Sequence, residues 1–510
     1  MVETAPARVT LRNYFSRPYD SAIAAARTCY SPVIISPDDV TDKQRLTIGA
    51  ATFEGGHHTV YQHAHFEFGL ENVSRQFVWS FLHSHPFYNS EQQSQRYVRL
   101  DKVQAFVPPL EGEARAVYER AVERAWEYYR QLSALLYDET HSTLADIWHL
   151  SEMSHERRRK KVARQAEKKA IEIARYVLPI AAFTTMVHTL SGITLHRLWR
   201  MQRAGDTPHE ASQVVQEMVA RVKEVDPAFF ERIGKEPLPE EKLPEWRFLQ
   251  KPATNGFHAE FDAQLGGRVS VLVDYSANAE RVVAQAVRAV LGRSESELPD
   301  DAALDEVMNP AKNRYRLETL NVSGHSPLMR ALNHAHYTFA KRISHTADSQ
   351  DQRHRMVPAS RPMMLLTDSP APDYLTPMII KRHPAALEVY NRAMAEAWEA
   401  KNRLLELGVP REFALYVLPN ATAVRFVESG ALIHLLHKWT MRTCFNAQEE
   451  IYQASMEEIE QVRRVHPRLA RHLGPPCYVR AGIASPICTE GSHFCGVKVW
   501  ESFPTIERRL

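Results

Sequence analysis

The sequence predicts an α+β protein made of two copies of one domain, each with a small sheet and several long helices, followed by a short C-terminal tail that bears cysteines. Three observations lead to this fold class. The chain has 510 residues, which is too long for one ordinary domain. A set of polar motifs occurs twice in the same order. Long segments of helical periodicity are mixed with short runs that alternate like strands.

The repeated motifs define the two copies. The pairs are GHHT at 56–59 with GHSP at 324–327, HAHFEF at 63–68 with HAHYTF at 334–339, and YVLP at 176–179 with YVLP at 416–419. The offsets are 268, 271 and 240 residues, always in the same order. Conserved order across three motifs indicates a duplication, and a period this long indicates two globular domains and not a solenoid.

Composition shifts predict the boundaries. We place copy one at residues 1–225, a linker rich in Pro and charge at 226–258, and copy two at 259–466. The tail, residues 467–510, has no counterpart after copy one. Periodicity predicts helices at 113–136, 156–177, 275–291 and 384–407, and strands at 64–70, 269–273 and 337–340.

The composition excludes several classes of protein. Hydrophobic residues make up 44% and charged residues 24%, as in a globular enzyme. The net charge of +2 gives no overall field for nucleic acid or membrane. The chain shows no apolar run of the ~18 residues needed to span a bilayer, and its start lacks the apolar core of a signal peptide. Five cysteines are sparse and odd in number, so we expect a cytoplasmic protein without a disulfide scaffold.

Three polar clusters are candidates for chemistry. Residues 83–97 form either an exposed loop or a polar site, because they contain almost no aliphatic side chain. Residues 350–362 place Arg353 and Arg355 on either side of His354, a donor array that suits phosphate or carboxylate and equally fits a solvated basic loop. Residues 447–451 are by themselves an ordinary polar helix face.

The order of these pieces resembles the flavin-dependent thymidylate synthases. The shared pattern is Gly-His-x-Thr, His-Ala-x-Phe-x-Phe, Ser-Arg, Gln-x-x-Arg-His-Arg, Ser-x-Arg-Tyr, Ala-Arg-Tyr-Val-Leu-Pro, Leu-Arg and Ala-Gln-x-Glu-Ile. It covers residues 50–220 and 320–455. The resemblance implies single-copy relatives that form homotetramers, with FAD and nucleotide sites between subunits.

Neither copy holds the whole signature. Copy one keeps Ser94, Arg96 and Arg175 but lacks the Arg-His-Arg arginines. Copy two keeps Gln350, Arg353 and Arg442 but lacks the Ser-x-Arg end, where Met363 and Leu365 stand, and has Leu415 in place of Arg175. In the resembled family these two sets come from neighbouring subunits. We therefore expect one composite nucleotide site, either within one chain or between two chains, formed by Ser94, Arg96, Arg175, Gln350, Arg353 and Arg442, whose arginines an anion would neutralise.

For the cofactor, the resemblance implies FAD. The positions that match its contacts are His57, Thr59, His325, Ser326, Arg353, His354 and Arg355. The Asn-x-Arg that usually binds the adenosine half is replaced by Ser191 and Ile193 in copy one. Altered contacts are expected instead, from His437 and Asn446.

By resemblance, the reaction is reductive methylation of dUMP to dTMP, with NADPH and methylenetetrahydrofolate as co-substrates. Arg353 and Arg442 are the expected catalytic residues, because cations near the pyrimidine carbonyls stabilise developing negative charge. Two alternatives stay open: a related flavin- and folate-dependent one-carbon transfer to a different nucleotide, or a non-catalytic nucleotide- or flavin-binding homologue. We expect a homodimer that forms a pseudo-tetramer, with no nucleic-acid or membrane partner.

The tail concentrates three of the five cysteines, Cys477, Cys488 and Cys495, near His472 and His493. The spacing does not match a standard zinc ribbon. A structural zinc site with one of these histidines as fourth ligand and free thiols in a packed tail are both compatible with the sequence.

Overall fold

The computed structural model describes residues 2–151, 155–250 and 256–510. Copy one and most of the linker contain the first sheet and the helices around it. The strands are Arg8–Tyr14 (β1), His65–Ser74 (β2), Tyr88–Gln92 (β3) and Phe183–Ser191 (β4). The helices are Pro18–Thr28 (α1), Asp42–Glu54 (α2), Arg75–His83 (α3), Gly112–Ile147 (α4), Glu156–Ala174 (α5), Gly192–Met201 (α6), Pro208–Val225 (α7), Ala228–Glu231 (α8) and Trp246–Leu249 (α9).

Copy two and the tail contain a second set of strands and helices. The strands are Ser270–Tyr275 (β5), His336–Ser344 (β6), Ala359–Ser360 (β7) and Ala423–Ala431 (β8). The helices are Gly256–Leu265 (α10), Ala279–Leu291 (α11), Asp300–Met308 (α12), His345–Asp351 (α13), Met364–Thr367 (α14), Met378–Arg382 (α15), Pro384–Glu406 (α16), Arg411–Leu415 (α17), Leu432–Arg442 (α18), Glu449–Val465 (α19), Pro467–Ala470 (α20) and Pro476–Arg480 (α21). None of the described helices is long and apolar enough to cross a membrane.

The two sheets have the same topology. Their strand orders are β1-β2-β4-β3 and β5-β6-β8-β7, and every pairing is antiparallel. Phe68 faces His188 in the first sheet, and Phe339 faces Glu428 in the second. These pairs are related by the same offsets, 271 and 240, that the repeated motifs show. The predicted α+β fold with two copies of one domain is therefore confirmed.

The two copies contact each other through a reciprocal interface. Ile180 N–H donates to the Leu418 carbonyl at 2.8 Å, and the equivalent Asn420 N–H donates to the Leu178 carbonyl at 2.8 Å. Glu210 accepts hydrogen bonds from Ser74 Oγ at 2.6 Å and from the Tyr416 hydroxyl of copy two at 2.7 Å. Because each contact has its mate with the roles of the copies exchanged, the interface has the character of a two-fold dimer contact within one chain.

The mate of the Glu210 contact involves Glu450. It accepts from Ser344 Oγ at 2.7 Å and from the Tyr176 hydroxyl of copy one. One continuous apolar core crosses this interface, and it includes Trp126 of copy one and Trp398 of copy two. The carboxylates therefore connect the start of each short helix, α3 or α13, to the other copy.

Several elements differ from the sequence-based expectation. Residues 275–278 belong to the end of β5 and the turn after it, so the predicted helix at 275–291 begins at Ala279. Helix α4 runs to Ile147, well past the predicted 136. Part of the expected extended linker folds into α8 and α9, and Phe229 is fully buried in copy one. Residues 251–255 of that linker lie outside the described part, and the four domain boundaries stay a prediction.

Candidate functional site

Side chains from both copies meet where the end of α5 faces the end of α18. Arg96 follows β3 and donates its Nη2 hydrogens to Glu172 Oε2 at 3.1 Å and to the Asn446 carbonyl of copy two at 2.8 Å. Ser94 Oγ accepts the Arg96 backbone N–H at 3.2 Å, which orders the turn that carries this arginine. The predicted Ser-x-Arg segment of copy one therefore reaches copy two within one chain.

Arg442 closes the copy-two side of the same cluster. It lies in the last turn of α18 and donates Nε–H to His354 Nε2 at 2.8 Å and Nη2–H to the Gln350 carbonyl at 3.2 Å. Arginine has only donors, so His354 Nε2 is an acceptor and the ring proton is on Nδ1. Burial and the adjacent Arg442 and Lys438 hold the pKa of His354 well below its usual range, which keeps the imidazole neutral.

We call Arg96, Arg175, Gln350, Arg442 and Asn446 the composite cluster. Several of its buried polar atoms lack a hydrogen-bond partner among the described residues: Arg96 Nε, Arg175 Nε and Nη2, and Gln350 Oε1. Buried groups of this kind are normally paired, and leaving one unpaired is costly. Two arginines, Arg96 and Arg175, therefore have buried N–H groups without a partner, and such groups fit an anionic ligand with several acceptor atoms.

The charge of the composite cluster is only partly neutralised. Burial lowers the pKa of Arg442 to about 10, so Arg442 remains protonated at neutral pH, and burial also lowers the pKa of Arg175. Glu172 supplies one negative charge. Burial opposes its ionisation, but Arg96, Lys169 and Arg175 outweigh burial and lower the pKa of Glu172 to about 2. One carboxylate among several cations leaves room for a further negative charge.

A buried charge network lies next to Arg442 and His354. It consists of two lysines and three acids, all fully buried: Lys341, Asp351, Glu428, Lys438 and Glu458. Lys438 Nζ lies 2.8 Å from Asp351 and 2.5 Å from Glu428, and Lys341 Nζ lies 2.6 Å from Glu458. Trp439 Nε1 donates to Glu458 at 2.6 Å. Asp351 of this network also lies near His354 and Arg442, and its charge favours the protonated form of both.

Arg353 and Arg355 lie at the edge of the composite cluster, in a groove of about 360 Å³. The Arg353 side chain is 53% exposed, and its nearest acid is Glu91 of copy one at 3.8 Å. Arg355 lies over the Tyr88 ring at 5.1 Å and donates to Asn89 Oδ1 at 3.2 Å. This groove, like the cluster, is built from both copies.

The residues expected to bind the cofactor divide into two groups. His437 lies 6.0 Å from His354 between ring centres, and Asn446 belongs to the composite cluster. The Asn446 amide is already bonded to Glu490 Oε2 at 3.2 Å and to the His493 carbonyl at 2.8 Å. His57, Thr59, His325 and Ser326 lie in or beside short 3-10 turns before β2 and β6. Within the described part of the chain, no hydrogen bond or ion pair joins these four to the cluster.

Sequence reasoning missed three residues near the cluster. Arg75 is buried, and burial together with the nearby charges of Arg175 and Arg353 lowers its pKa to about 9. Glu172 is the acid partner of Arg96, and its position three residues before Arg175 is the only signal for it. Arg508 enters from the tail and donates to the Ala447 carbonyl at 2.6 Å. Nothing in the sequence indicates that contact.

The tail cysteines do not form the zinc site considered from the sequence. Over the residues that the structure describes, no group of three or more His, Cys, Asp and Glu side chains is arranged to hold a metal ion. Cys477, Cys488 and Cys495 are free thiols, and burial raises the pKa of Cys477 to about 11. The carbonyls of His472 and His493 accept hydrogen bonds from Arg316 and Asn446, so these histidines have structural roles through their backbones.

The chain is similar in sequence to known proteins over most of both copies. A family model described as thymidylate synthase complementing protein matches residues 10–228 and 271–468, which covers most of both copies. The flavin-dependent thymidylate synthase of Clostridium tetani is 31% identical over 237 residues, 46% of this chain and 88% of that protein. The enzyme of the same name from Sulfurisphaera tokodaii is 32% identical over 212 residues, 41% of this chain and 78% of that protein.

A solved structure was also found. It is a UMP/dUMP methylase from Streptomyces cacaoi, with 17% identity and a TM-score of 0.33. The match covers 45% of this chain and 95% of the methylase.

Proposed function

Because this chain belongs to the family of flavin-dependent thymidylate synthases, we propose that it is an enzyme that methylates dUMP reductively to dTMP. FAD would be its cofactor, and NADPH and methylenetetrahydrofolate its co-substrates. The nucleotide would bind to Ser94, Arg96, Arg175, Gln350, Arg353 and Arg442. Membership of the family supports the reaction class. The unpaired cationic groups of the composite cluster support a nucleotide as the substrate, because a nucleotide is an anion.

One observation carries the proposal: Arg96 of copy one donates to the Asn446 carbonyl of copy two at 2.8 Å. The arginines that each copy has kept are therefore neighbours within a single chain. Several of their N–H groups are buried without a partner among the described atoms. A nucleotide phosphate and the pyrimidine carbonyls offer the acceptors that these groups lack.

Arg353 and Arg442 are the proposed catalytic residues. Both are cations at neutral pH, and such groups near the pyrimidine carbonyls stabilise the negative charge that develops when the ring is activated. His354 is a positioning residue in this proposal. Its neutral ring accepts from Arg442 Nε and so fixes the direction of the guanidinium. The other Arg442 contact, to the Gln350 carbonyl, restrains the same group from a second side.

The groove around Arg353 fits part of FAD. Arg353 and Arg355 are two cations with few acidic neighbours, as a diphosphate requires, and Gln352 Oε1 is buried without a partner among the described residues, as a flavin ring N–H would require. FAD supplies hydride transfer when it is bound. The residues of this chain would hold it and orient the nucleotide beside it. His57, Thr59, His325, Ser326 and His437 remain proposed contacts.

The test compares Arg442→Ala with Gln202→Ala, since Gln202 occupies the equivalent position of copy one. We expect Arg442→Ala to weaken dUMP binding by at least about 30-fold and to abolish dTMP formation, because removing one member of a buried charged contact costs roughly 2–5 kcal/mol. Gln202→Ala should leave both unchanged. Binding is measured by calorimetry and product by chromatography, with FAD, NADPH and methylenetetrahydrofolate present. Equal effects of the two variants would contradict the proposed site.

The same assay separates the two alternative functions. A different methylated nucleotide as the product would identify a one-carbon transfer to another substrate. Glu91 beside Arg353 is the observation that favours testing other nucleotides, since an acid there changes the charge offered to the ligand. Nucleotide binding without any product would identify a non-catalytic homologue. Formation of dTMP from dUMP is the outcome that the proposal requires.

We also propose a homodimer with pseudo-tetrameric symmetry. Each chain already contains one two-fold-like contact between its copies, so two chains would supply the four domains that the resembled homotetramers contain. Light scattering of the purified protein measures its mass. A strictly monomeric protein that is still active would contradict this assembly.

A further inference from the structure

Copy one contains an insertion that copy two lacks. Tyr118 and Tyr390, each of which donates its hydroxyl to an upstream backbone carbonyl, are 272 positions apart. Glu172 and Glu412 are only 240 positions apart. Copy one therefore carries 32 more residues between these points, and they lengthen the hairpin of α4 and α5. We call the described residues of this stretch, 136–151 and 155–167, the hairpin extension.

The hairpin extension packs against residues 494–510 of the tail, which have no counterpart in copy one, whereas the start of the tail, α20, is the counterpart of α8. Leu510 contacts the small apolar cluster of Leu144, Val162 and Ala166. Trp148 packs edge-on against Phe494 at 6.0 Å, and Arg509 donates to Asp146 at 2.5 Å. A Cβ added at Gly496 would come within 2.9 Å of Ile147, so the tail approaches the hairpin as closely as only glycine permits. The two additions thus form one unit.

Between them lies a cavity of about 1830 Å³, much larger than the roughly 300–1,000 Å³ of common ligand sites. Its floor reaches the composite cluster through Arg96, Glu172 and Asn446. Eleven Lys and Arg side chains line it against five Asp and Glu, counted over the described residues. Such an excess of one sign inside a concave surface concentrates ligands of the opposite sign.

Two buried groups indicate that this cavity receives a ligand. Arg508 is 8% exposed, lines the cavity and has no partner for Nη1 within the described part of the chain. Arg96 Nε, at the boundary with the composite cluster, is unpaired in the same way. Among the described residues, neither Arg164 nor Lys161 of α5 has an acid within ion-pair distance, and Lys161 Nζ lies 4.5 Å from the centre of the Trp148 ring. In the described part of the chain these side chains therefore keep donors that no hydrogen bond uses and that an anionic ligand would accept, although Arg96 also forms an ion pair with Glu172.

We propose that the hairpin extension and the tail form a second binding site, for a small flexible polyanion with several phosphates or carboxylates along a chain. The site adjoins the composite cluster, and Arg508 is the buried residue that anchors the ligand at the boundary between them. The proposal does not depend on which reaction the composite cluster performs, because it rests on the cavity alone.

The test uses the full chain and two probes, inorganic tripolyphosphate and a triglutamate peptide, which distinguish a phosphate chain from a carboxylate chain. Calorimetry should detect one site per chain for at least one probe, with affinity that falls as salt is raised. The double variant Lys161→Glu with Arg164→Glu should lose at least about tenfold in affinity. The matched control, Lys223→Glu with Lys242→Glu, makes the same charge change at exposed positions outside the cavity.

Three outcomes would overturn the proposal. The wild-type chain could bind neither probe. The two double variants could lose affinity equally, which would show a non-specific effect of net charge. A short duplex oligonucleotide could bind more tightly than both probes, which would assign the basic helix face to nucleic acid. Dichroism and dUMP titration of each variant separate these results from unfolding and from failure of the composite cluster.

Discussion

The interface between the copies contains two equivalent positions with opposite chemistry. In the composite cluster, Arg96 donates to the carbonyl of Asn446. At the counterpart position, Leu365 stands where Arg96 would be, and its backbone N–H donates to Asp206, the equivalent of Asn446, at 3.0 Å. Met364 and Leu365 are buried there, so the counterpart position is filled with apolar side chains. One of two equivalent sites has become core while the other has kept its cations.

The carboxylates at the two positions make the same contrast. Glu172, among Arg96, Lys169 and Arg175, has a pKa lowered to about 2. Its equivalent Glu412 has no such cations, and burial, helped by Glu210 and Glu240, raises its pKa to about 8. The backbone position is the same, so the difference comes from the neighbours. Loss of the arginines at one position has therefore raised the pKa of Glu412, although the carboxylate itself was retained.

The two copies also differ in the buried side chains of their sheets. Lys341 of the buried charge network is replaced in copy one by Leu70, at the same register of the sheet. We expect Lys341→Met to lower the free energy of unfolding by about 3–5 kcal/mol, because it leaves buried acids without their partner. Leu70→Met should cost less than about 1.5 kcal/mol, since it conserves volume in an apolar site. Urea unfolding measures both, and similar losses would contradict an essential role for the network.

The next prediction makes the composite cluster resemble its counterpart. Arg96→Leu should weaken dUMP binding by at least about 30-fold, for the same reason that truncating a buried charged contact costs roughly 2–5 kcal/mol. Leu365→Met, the control at the counterpart position, should not change dUMP affinity. Calorimetry should also give one nucleotide per wild-type chain. Two nucleotides per chain would show that the counterpart position is still a site.

The smallest expected effects concern pH. Glu172 is ionised more readily in the folded chain, so it contributes stability above about pH 4.5 that is lost as pH falls toward 2. Glu412 is protonated more readily, so its contribution is full below about pH 4.5 and is lost as pH rises through 8. Glu412→Gln should therefore reduce the fall in Tm between pH 6 and pH 9. Glu172→Gln should lower Tm at pH 7 by a few degrees.

Thermal unfolding at several pH values checks both variants. Each serves as the control for the other, because the same chemical change is made at equivalent positions. If Glu412→Gln left the alkaline part of the profile unchanged, the raised pKa of Glu412 would be wrong. If Glu172→Gln were neutral at pH 7, the ion pair with Arg96 would contribute nothing to folding.

Local sequence patterns predicted the parts of the fold that repeat. The motif offsets related equivalent positions of the two copies, and the division of arginines predicted that the Arg96 segment would approach copy two, whereas strands β4 and β8 were not predicted. Two kinds of feature escaped. The edge strands β3 and β7 are short and polar, so they lack the alternation that identifies a strand. The sequence alone predicts that charged residues such as Lys341 are exposed, because lysine is almost always at the surface.

Contacts between segments far apart in the sequence could not be predicted either. Arg508 reaches the composite cluster only because the tail folds back over the hairpin extension, and no local pattern encodes a contact across such a separation. The expected FAD contacts near His57 and His325 were drawn from motif resemblance, which carries no information on how far a turn lies from the interface.

The reciprocal contacts of Glu210 with Tyr416 and of Glu450 with Tyr176 join two halves that one polypeptide already holds together. Their encounter is therefore a first-order event, with an effective concentration set by the connecting chain and not by the amount of protein in solution. A site shared between separate subunits is lost when dilution makes the subunits dissociate. This one should survive it, so binding per chain would stay constant at concentrations where an ordinary oligomer falls apart.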